Sequence, residues 1–258
     1  WYTRRLERKI YYASDRIIAL APGIKEGIRR TGYPADRVAM IPNSCDLELF
    51  RPTDEIRCDE RFGSPDEFRL VFTGAHGLAN GLDAVLKAAV ELKRRGVTGI
   101  RFVFIGDGGQ REGLMRCSHA EGLDRLITWV KPIPKKELAR ILPQMDVGMM
   151  ILKNVPAFYY GTSPNKFFDY IACGLPVLNN YPGWIGELIE GNHCGVIVPP
   201  DDPQSFADAV LRLRDAPDEL VAMGRRARQL AESQFARDVL GDQLVAVLES
   251  SCQDFNRS

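Results

Sequence analysis

The sequence predicts an α/β fold, a doubly wound parallel sheet with helices on both faces. Apolar runs of strand length recur along the 258 residues, and most are continuously apolar, as expected of strands buried on both faces. Amphipathic helical patterns separate these runs, so strands and helices alternate. The hydrophobic content of 45% and the charged content of 26% are those of an ordinary globular protein.

Eight strands are predicted from the apolar runs. They lie at residues 16–20, 37–41, 69–74, 101–106, 126–130, 147–152, 176–180 and 195–199. In parallel sheets of this kind, ligands bind outside the carboxyl ends of the strands. The residues that follow each strand are therefore the first place to look for a binding site.

Helices are predicted where apolar residues recur on one face, and in the first of them Lys and Arg close the last turn. They lie at residues 82–95, 110–123, 135–142, 164–173 and 203–215. Asp201 or Asp202 is the predicted N-cap of the last of these. The tail from Pro217 to about Ser251 is helical, with a break near residues 233–238. Residues 51–67 are predicted as a linker or loop because they contain several Pro, Gly and Asp residues.

Charge and cysteine content argue against several classes of protein. Lys plus Arg and Asp plus Glu both number 34, so a net charge of zero does not indicate a nucleic-acid partner. The six cysteines form no CxxC and have no zinc-finger spacing, which favours free thiols in a cytoplasmic protein. No apolar run approaches a membrane span and no signal peptide is seen. Because residue 1 is Trp and not Met, we expect a fragment or a processed chain.

The first candidate site follows the strand at 69–74, in the segment FTGAHGLANGLD. Gly74, Gly77 and Gly81 let the backbone approach a ligand, and the next helix offers free N–H groups to an anion. A plain tight turn explains the glycines equally well. The segment lacks GxGxxG spacing and a matching acidic residue, which argues against a dinucleotide-dependent dehydrogenase. His76 either points into the crevice or only completes the turn.

A second candidate follows the strand at 101–106, where the chain reads Gly106-Asp107-Gly108-Gly109. Glycine and aspartate are typical of turns, so a structural turn is the favoured interpretation. A loop that lines a binding crevice is the functional alternative.

The third candidate is the helix at 164–173, in the segment SPNKFFDYIACG. Ser163 is predicted as its N-cap and Pro164 as its first residue. Lys166 then lies in the first turn, where the helix dipole favours negative charge. Two interpretations remain open. Either Lys166 and Asp169 form an exposed ion pair, or Lys166 and the backbone N–H groups bind a phosphate while Asp169 bonds to sugar hydroxyls.

With these motifs in this order, the chain resembles the donor-binding half of a GT-B glycosyltransferase of the retaining family 4 type. The resemblance covers nearly the whole chain. The segments that carry it are PNSCDLELFRP, RFVFIGDGG, LITWVKPIP, SPNKFFDYIACGLPVL and GNHCGVIVPPDDPQSFADAV. The fourth segment begins with Ser-Pro-Asn-Lys. In this it resembles the variant of the segment found in enzymes of bacterial lipopolysaccharide, O-antigen and other surface-polysaccharide synthesis.

The resemblance implies roles for individual residues. The residues implied in binding the donor diphosphate are Gly74, His76, Gly77, Asn80, Ser163, Pro164, Asn165 and Lys166. Asp169 would bind the ribose, Lys131 and Ile133 would lie beside the base, and Gly161 and Thr162 would line the donor-sugar region. The donor would be a nucleotide sugar, with UDP the most common base. The chain has no Asp-x-Asp, so no metal or other cofactor is implied.

The chain departs from the family pattern at the site itself. The family has two acidic residues eight positions apart, which fall on Gly161 and Asp169, so the first is missing. The Arg and Lys that its glycine loop gives to the diphosphate fall at or near Ala75 and Asn80. Lys166 would replace one of these two cations.

The resemblance also implies three parts. Residues 1–50 match the end of an N-terminal acceptor domain and a hinge, residues 51–235 a Rossmann-like donor domain, and residues 236–258 a helix that returns to the N-terminal domain. The acceptor site, and any catalytic group that the first domain supplies, would lie outside this sequence. We therefore expect the chain alone to bind a nucleotide sugar weakly and to transfer nothing.

The implied reaction transfers a hexosyl-type sugar, with retention, to a lipid-linked glycan at the inner face of the cytoplasmic membrane. One alternative is a GT-B-like nucleotide-sugar epimerase, whose catalytic acids and histidines we do not find. Another is a noncatalytic nucleotide-sugar-binding or interaction module. The first segment, WYTRRLERKIYY, is basic and aromatic, which suits peripheral membrane contact, although an ordinary surface helix is favoured.

Overall fold

The computed structural model describes residues 2–53 and 59–253 in full and the backbone of residues 254 and 255. Residues 54–58 of the predicted linker lie outside the described residues. The helices are α1 (Tyr2–Tyr12), α2 (Pro22–Arg29), α3 (Asp83–Arg94), α4 (Arg111–Ala120), α5 (Lys135–Ile141), α6 (Pro156–Gly161), α7 (Asn165–Ala172), α8 (Trp184–Gly191), α9 (Pro203–Arg214), α10 (Pro217–Gln234) and α11 (Arg237–Phe255). The strands are β1 (Ile17–Ala19), β2 (Val38–Met40), β3 (Phe68–Thr73), β4 (Ile100–Ile105), β5 (Ile127–Val130), β6 (Val147–Met150), β7 (Val177–Asn179) and β8 (Gly195–Ile197).

Six parallel strands form the main sheet, in the order β5-β4-β3-β6-β7-β8. Leu70 of β3 pairs with Phe102 of β4 on one side and with Val147 of β6 on the other. From β3 the chain order runs outward to β4 and β5 on one side, and from β6 it runs outward to β7 and β8 on the other. The point at which the strand order reverses therefore lies between β3 and β6, although these two strands are parallel. The short strands β1 and β2 form a separate parallel pair. This arrangement confirms the predicted fold class, and the observed strands match the predicted ones to within two residues at each end.

Helices cover both faces of the main sheet, which explains why its strands are continuously apolar. In β3, Val71 belongs to a core cluster that also includes side chains of α5, α7 and α10. Leu70 and Phe72 belong to a second cluster, with α3 and α9. All three side chains have no exposed surface. Burial on both faces supplies the main favourable free energy of this fold.

The helix boundaries follow from local sequence. The Asp202 side chain accepts a hydrogen bond from the Ser205 N–H (2.9 Å) and caps α9, which confirms one of the two predicted caps. At the start of α7 the prediction was wrong. Pro164 has an extended backbone and the helix begins one residue later. The hydroxyl of Ser163 does not cap the helix, because its oxygen accepts the N–H of Asn43 (3.2 Å).

Two short helices, α6 and α8, were not predicted from the sequence. Helix α6 begins at Pro156, a favourable place for proline, and ends at Gly161. Helix α8 follows Gly183, which has a φ of 114°. The Tyr160 hydroxyl of α6 donates a hydrogen bond to the Glu187 carboxylate of α8. The two helices thus pair across the predicted donor-sugar region.

Two segments that are distant in sequence meet beside the main sheet. The Cys45 N–H donates to the Phe235 carbonyl (2.6 Å), and the Arg237 guanidinium donates to the Asp46 carboxylate (2.6 Å). The predicted break near residues 233–238 is confirmed here, between α10 and α11. In the parts of the chain that the structure describes, no helix has both the length and the hydropathy needed to span a bilayer.

Candidate functional site

The candidate site lies at the carboxyl ends of β3, β4 and β6, where the strand order reverses. In doubly wound sheets this edge leaves a crevice that binds ligands. One side of it is formed by the glycine loop (residues 74–82) after β3 and by the Asp107 loop (residues 106–110) after β4. The start of α7 faces the glycine loop, since Lys166 and Asn80 are in hydrogen-bond contact.

Backbone contacts lock these two loops together. The His76 N–H donates to the Asp107 carbonyl (2.8 Å), and the Gln110 N–H donates to the His76 carbonyl (2.9 Å). A Cβ atom at Gly106 would lie only 1.9 Å from the Gly74 carbonyl oxygen. Gly106 also has a φ of 152°, a backbone conformation that favours glycine. The two glycine-rich segments therefore form a single rigid rim.

His76 lies beneath this rim and not in the crevice. Its ring is fully buried, with ring centroids 6.1 Å from Phe72, 6.2 Å from Phe104 and 5.6 Å from Trp129. Neither ring nitrogen has a hydrogen-bond partner among the described residues. Burial, and after it the charge of Arg111, lowers the pKa of His76 to about 4. The implied role of His76 as a diphosphate ligand is not supported, because its ring is covered and its backbone groups are engaged.

Lys166 lies in the first turn of α7 and points at the glycine loop. Its Nζ is 3.3 Å from Asn80 Oδ1 and 3.8 Å from the ring centroid of Phe72. Its side chain runs past Gly74, which has a φ of 117°. The interpretation as an exposed pair with Asp169 was wrong, because the ion pairs among the described residues do not include these two. Burial lowers the pKa of Lys166 to about 7.

Asn80 is held in place for its contact with Lys166. Its Nδ2 donates to the Ala75 carbonyl (2.7 Å), so its Oδ1 accepts from the ammonium group. Gly77 precedes the short 3₁₀ turn at Leu78–Asn80 and has open space around its Cα. The structure therefore brings together residues that lie 86 positions apart in the sequence.

The start of α7 is open on its ligand-facing end. Pro164, at the cap position, provides no side-chain hydrogen bond to the first-turn N–H groups. Ser163 is fixed instead by Asn43, whose Nδ2 donates to the Ser163 carbonyl (2.5 Å). Asn165 is the first helical residue and is exposed. An uncapped helix N-terminus of this kind presents N–H donors and a partial positive charge to an anion.

Asp169 follows Lys166 by about one turn and is part-buried. Burial raises its pKa to about 6, with Lys135 opposing and Asp46 adding to the shift. Of the two residues implied beside the base, Ile133 packs partly against the core cluster of α7, and Lys131 is exposed. Ile133 and α7, which carries Asp169, thus contribute to the same core cluster.

Gly161 ends α6, and a Cβ atom there would meet nothing within 4 Å. The space that an acidic side chain would fill is therefore open. Thr162 next to it is anchored on both sides. Its hydroxyl donates to the Phe158 carbonyl (3.0 Å), and its carbonyl accepts the Trp184 indole N–H (2.6 Å).

Sequence reasoning missed three contributors to the site. Asn43 fixes Ser163, Phe72 carries the lysine ammonium on its ring face, and Arg111 adds positive charge near His76. The hinge motif contained Asn43, but no signal in the sequence connects it with α7. Contacts of this kind join distant segments, so local patterns do not reveal them.

The arrangement suits an anionic ligand that also carries hydroxyl groups. Lys166 and the start of α7 provide positive charge, and Asp169 provides an acceptor for hydroxyl donors about one turn away. Within residues 2–53 and 59–253, no cluster of three or more His, Cys, Asp or Glu side chains could hold a metal ion.

Comparison with known proteins identifies the family. Residues 67–216 match the family described as glycosyl transferases group 1. D-inositol 3-phosphate glycosyltransferase 2 from Catenulispora acidiphila is 29% identical over 231 residues, which cover 86% of this chain and 53% of that protein. Alpha-D-kanosaminyltransferase from Streptomyces kanamyceticus is 27% identical over 256 residues, covering 96% of this chain and 62% of that protein. The chain thus spans somewhat more than half the length of these relatives.

A solved structure gives the same assignment of the fold. Anabaena Alr3699/HepE in complex with UDP-glucose superposes with a TM-score of 0.79 at 16% identity, covering 92% of this chain and 64% of that one. At this identity the likeness shows the fold alone, and it agrees with the Rossmann-like architecture. The family match covers 150 of the 258 residues, including the glycine loop, the Asp107 loop and α7. This chain therefore belongs to the glycosyl transferases group 1.

Proposed function

We propose that this chain is the donor-binding part of a retaining glycosyltransferase that uses a UDP-linked sugar. The observation that carries the proposal is the position of Lys166. Its ammonium group lies at the uncapped start of α7, beside the glycine loop, and none of the ion pairs among the described residues supplies it with a carboxylate. A part-buried cation of this kind favours an anionic ligand, because the ligand returns the charge stabilisation that burial removed.

In this proposal the donor diphosphate lies between the glycine loop and the first turn of α7. Lys166 and the N–H groups of α7 bind its oxygens, and Asn80 orients the lysine. The ribose bonds to Asp169, and the base lies beside Lys131 and Ile133. The Anabaena protein was crystallised with UDP-glucose, which supports a UDP-linked donor here.

The chemistry of such a site depends on the leaving group. Negative charge grows on the diphosphate as its bond to the anomeric carbon breaks, so Lys166 and the helix N–H groups stabilise the transition state more than the ground state. The sugar would lie near Gly161 and Thr162. The acceptor and any further catalytic group would come from the remainder of a longer protein, and we expect this chain alone to transfer nothing.

The proposed division into parts has support from one contact. The Cys45 N–H donates to the Phe235 carbonyl, so the boundaries of the three proposed parts (residues 1–50, 51–235 and 236–258) pass close to one point. A first domain joined through these two adjacent segments could move as a unit relative to the donor-binding domain.

The acceptor is proposed to be a hydroxyl of a lipid-linked glycan, in bacterial surface-polysaccharide synthesis at the inner face of the membrane. The Ser-Pro-Asn-Lys segment supports this class. The curated relatives are named for other chemistry, one for inositol 3-phosphate and one for kanosaminyl transfer. Assays of a full-length enzyme with a polyprenyl-diphosphate glycan and with inositol 3-phosphate separate these acceptors. An epimerase would interconvert the free UDP-sugar without any acceptor, and a noncatalytic module would give neither product.

Calorimetric titration of the purified chain tests the donor site. UDP should bind more tightly than GDP or inorganic phosphate. Lys166→Met should weaken UDP by about tenfold or more, since a charge-assisted contact is lost, and should leave uridine unchanged. Asp169→Asn should weaken uridine and UDP alike, because the ribose is common to both.

Lys87→Met is the matched control for these variants. Lys87 is exposed and its ammonium group already pairs with Asp83 on α3, so its replacement should alter neither affinity. Full UDP affinity in both Lys166→Met and Asp169→Asn would refute the site assignment. Failure of the wild-type chain to bind any nucleotide would refute the donor role itself.

A further inference from the structure

The first residue of α4, Arg111, is fixed against the glycine loop. The Gln110 N–H donates to the His76 carbonyl (2.9 Å), and the Arg111 N–H donates to the Gly108 carbonyl (3.0 Å). Gly108 itself touches the backbone of His76 so closely that a Cβ atom there would lie 2.7 Å from the His76 carbonyl oxygen. The side chain of Arg111 therefore starts from the same rim that faces Lys166.

Three polar atoms of Arg111 and His76 lack hydrogen-bond partners among the described residues. The Nε of Arg111 is buried, and no described residue accepts a hydrogen bond from it. The two ring nitrogens of the fully buried His76, one a donor and one an acceptor in the neutral ring, also have no partner among the described residues. Buried polar groups in native proteins are nearly always hydrogen-bonded, so such a cluster needs an explanation. For Arg111 an acceptor supplied by a ligand is one, because its loop lies at the ligand-binding edge of the sheet, whereas the covered ring of His76 is out of reach of a ligand.

The charged groups around His76 also favour an anionic ligand beside Arg111. Arg111 and Lys166 both act to lower its pKa, and Asp107 is the carboxylate that opposes them. Asp107 is engaged locally, since its Oδ1 accepts the Gly108 N–H (2.8 Å). Arg111 is absent from the ion pairs of the described residues. Two cations from different elements thus lie near the same residue of the glycine loop.

We propose that Arg111 binds the donor diphosphate as a second cation beside Lys166. The inference rests on the proposed function, since it needs a diphosphate at this edge of the sheet. Two cations beside the glycine loop match the two phosphoryl groups of a nucleoside diphosphate. A guanidinium group is well suited to the task, because it donates two parallel hydrogen bonds to phosphoryl oxygens.

Titration of the whole chain with UDP and with uridine tests this role. In Arg111→Gln the dissociation constant for UDP should rise about tenfold, and that for uridine should not change. Arg116→Gln is the matched control, because Arg116 lies on the same helix with a side chain that is 76% exposed. Its affinity for both ligands should equal that of the wild type. Arg111→Lys keeps the charge but loses the planar fork, so its loss of UDP affinity should be smaller.

The outcomes separate the inference from the proposed function. If the wild-type chain binds UDP and Arg111→Gln binds it equally well, the inference is overturned and the proposed function stands. Water would then be the hydrogen-bond acceptor for the Arg111 Nε. An equal loss for UDP and uridine also overturns it, since that result indicates a structural role. If Arg111→Gln does not fold, Arg111→Lys decides by the same UDP-to-uridine comparison. A wild-type chain that does not bind UDP overturns the proposed function, and the inference with it.

Discussion

Affinity for the donor should depend on pH with a maximum between about pH 6 and pH 7. The alkaline limb comes from Lys166, whose pKa is lowered to about 7 by burial. A diphosphate binds the protonated ammonium, so affinity is lost as the pH rises through this pKa. The acidic limb comes from Asp169, whose pKa is raised to about 6, because the neutral acid is a weaker acceptor for ribose hydroxyls than the carboxylate.

The size of the alkaline limb follows from the protonated fraction of Lys166. With a pKa of about 7, this fraction falls from about 0.9 at pH 6 to about 0.1 at pH 8, so the affinity should fall by roughly tenfold. Binding should raise the pKa of Lys166, because the anion stabilises the charged form. Near pH 7, the complex should therefore take up about half a proton per molecule bound.

UDP-glucose is the better ligand for this experiment, because its diphosphate has no group that titrates near neutral pH, whereas the terminal phosphate of UDP does. Calorimetry between pH 5 and pH 9 gives the affinity, and repeating it in buffers of different ionisation enthalpy gives the proton uptake. Lys166→Met should remove the alkaline limb, and Asp169→Asn should remove the acidic limb. A wild-type affinity that is constant from pH 6 to pH 8, with no proton uptake, would refute the reasoning.

Further predictions concern stability and the open sugar region. Lys166→Met should raise the melting temperature at pH 7 by a few degrees, since a part-buried ammonium is replaced by an apolar group of similar shape; a lower value by calorimetry would contradict this. Gly106→Ala should lower the free energy of unfolding by about 2 kcal/mol or more, because its Cβ would overlap the Gly74 carbonyl. Gly109→Ala, in open space, is its control, and equal urea midpoints for both would argue against the locked rim. Gly161→Glu should fold normally, since nothing lies within 4 Å of its Cβ position, and should change the ratio of UDP-glucose to UDP affinity several-fold. An unchanged ratio would show that the sugar lies elsewhere.

The main sheet was predictable because burial on both faces leaves a strong mark on sequence. Strands such as β3 and β4 are apolar at nearly every position, and the helices between them carry one apolar face each. Helices α6 and α8 were missed because they are short and their residues also suit loops. Local sequence predicts short helices poorly, since helices of this length are stabilised mainly by packing against the rest of the fold.

The site was only partly predictable for a similar reason. Sequence pointed to Lys166 and Asp169, because a helix start after Ser-Pro has a recognisable pattern. It did not show that His76 is covered, which depends on the aromatic rings of three neighbouring strands. Nor did it show Arg111, whose position follows from the contact between two loops.

Two of the three tryptophans of the chain flank the crevice, and this gives the protein a built-in optical signal. Trp129 stacks on Phe104 at a centroid distance of 4.4 Å and touches the ring of His76 beneath the rim. Trp184 donates its indole N–H to the Thr162 carbonyl at the opposite end, beside the open space at Gly161 where the sugar is proposed to lie. Because indole emission responds to local polarity and hydrogen bonding, single-tryptophan versions of the chain can be read by fluorescence without any label. Each would follow the occupancy of one half of the crevice, so the response to UDP, which lacks the sugar, can be compared with the response to UDP-glucose.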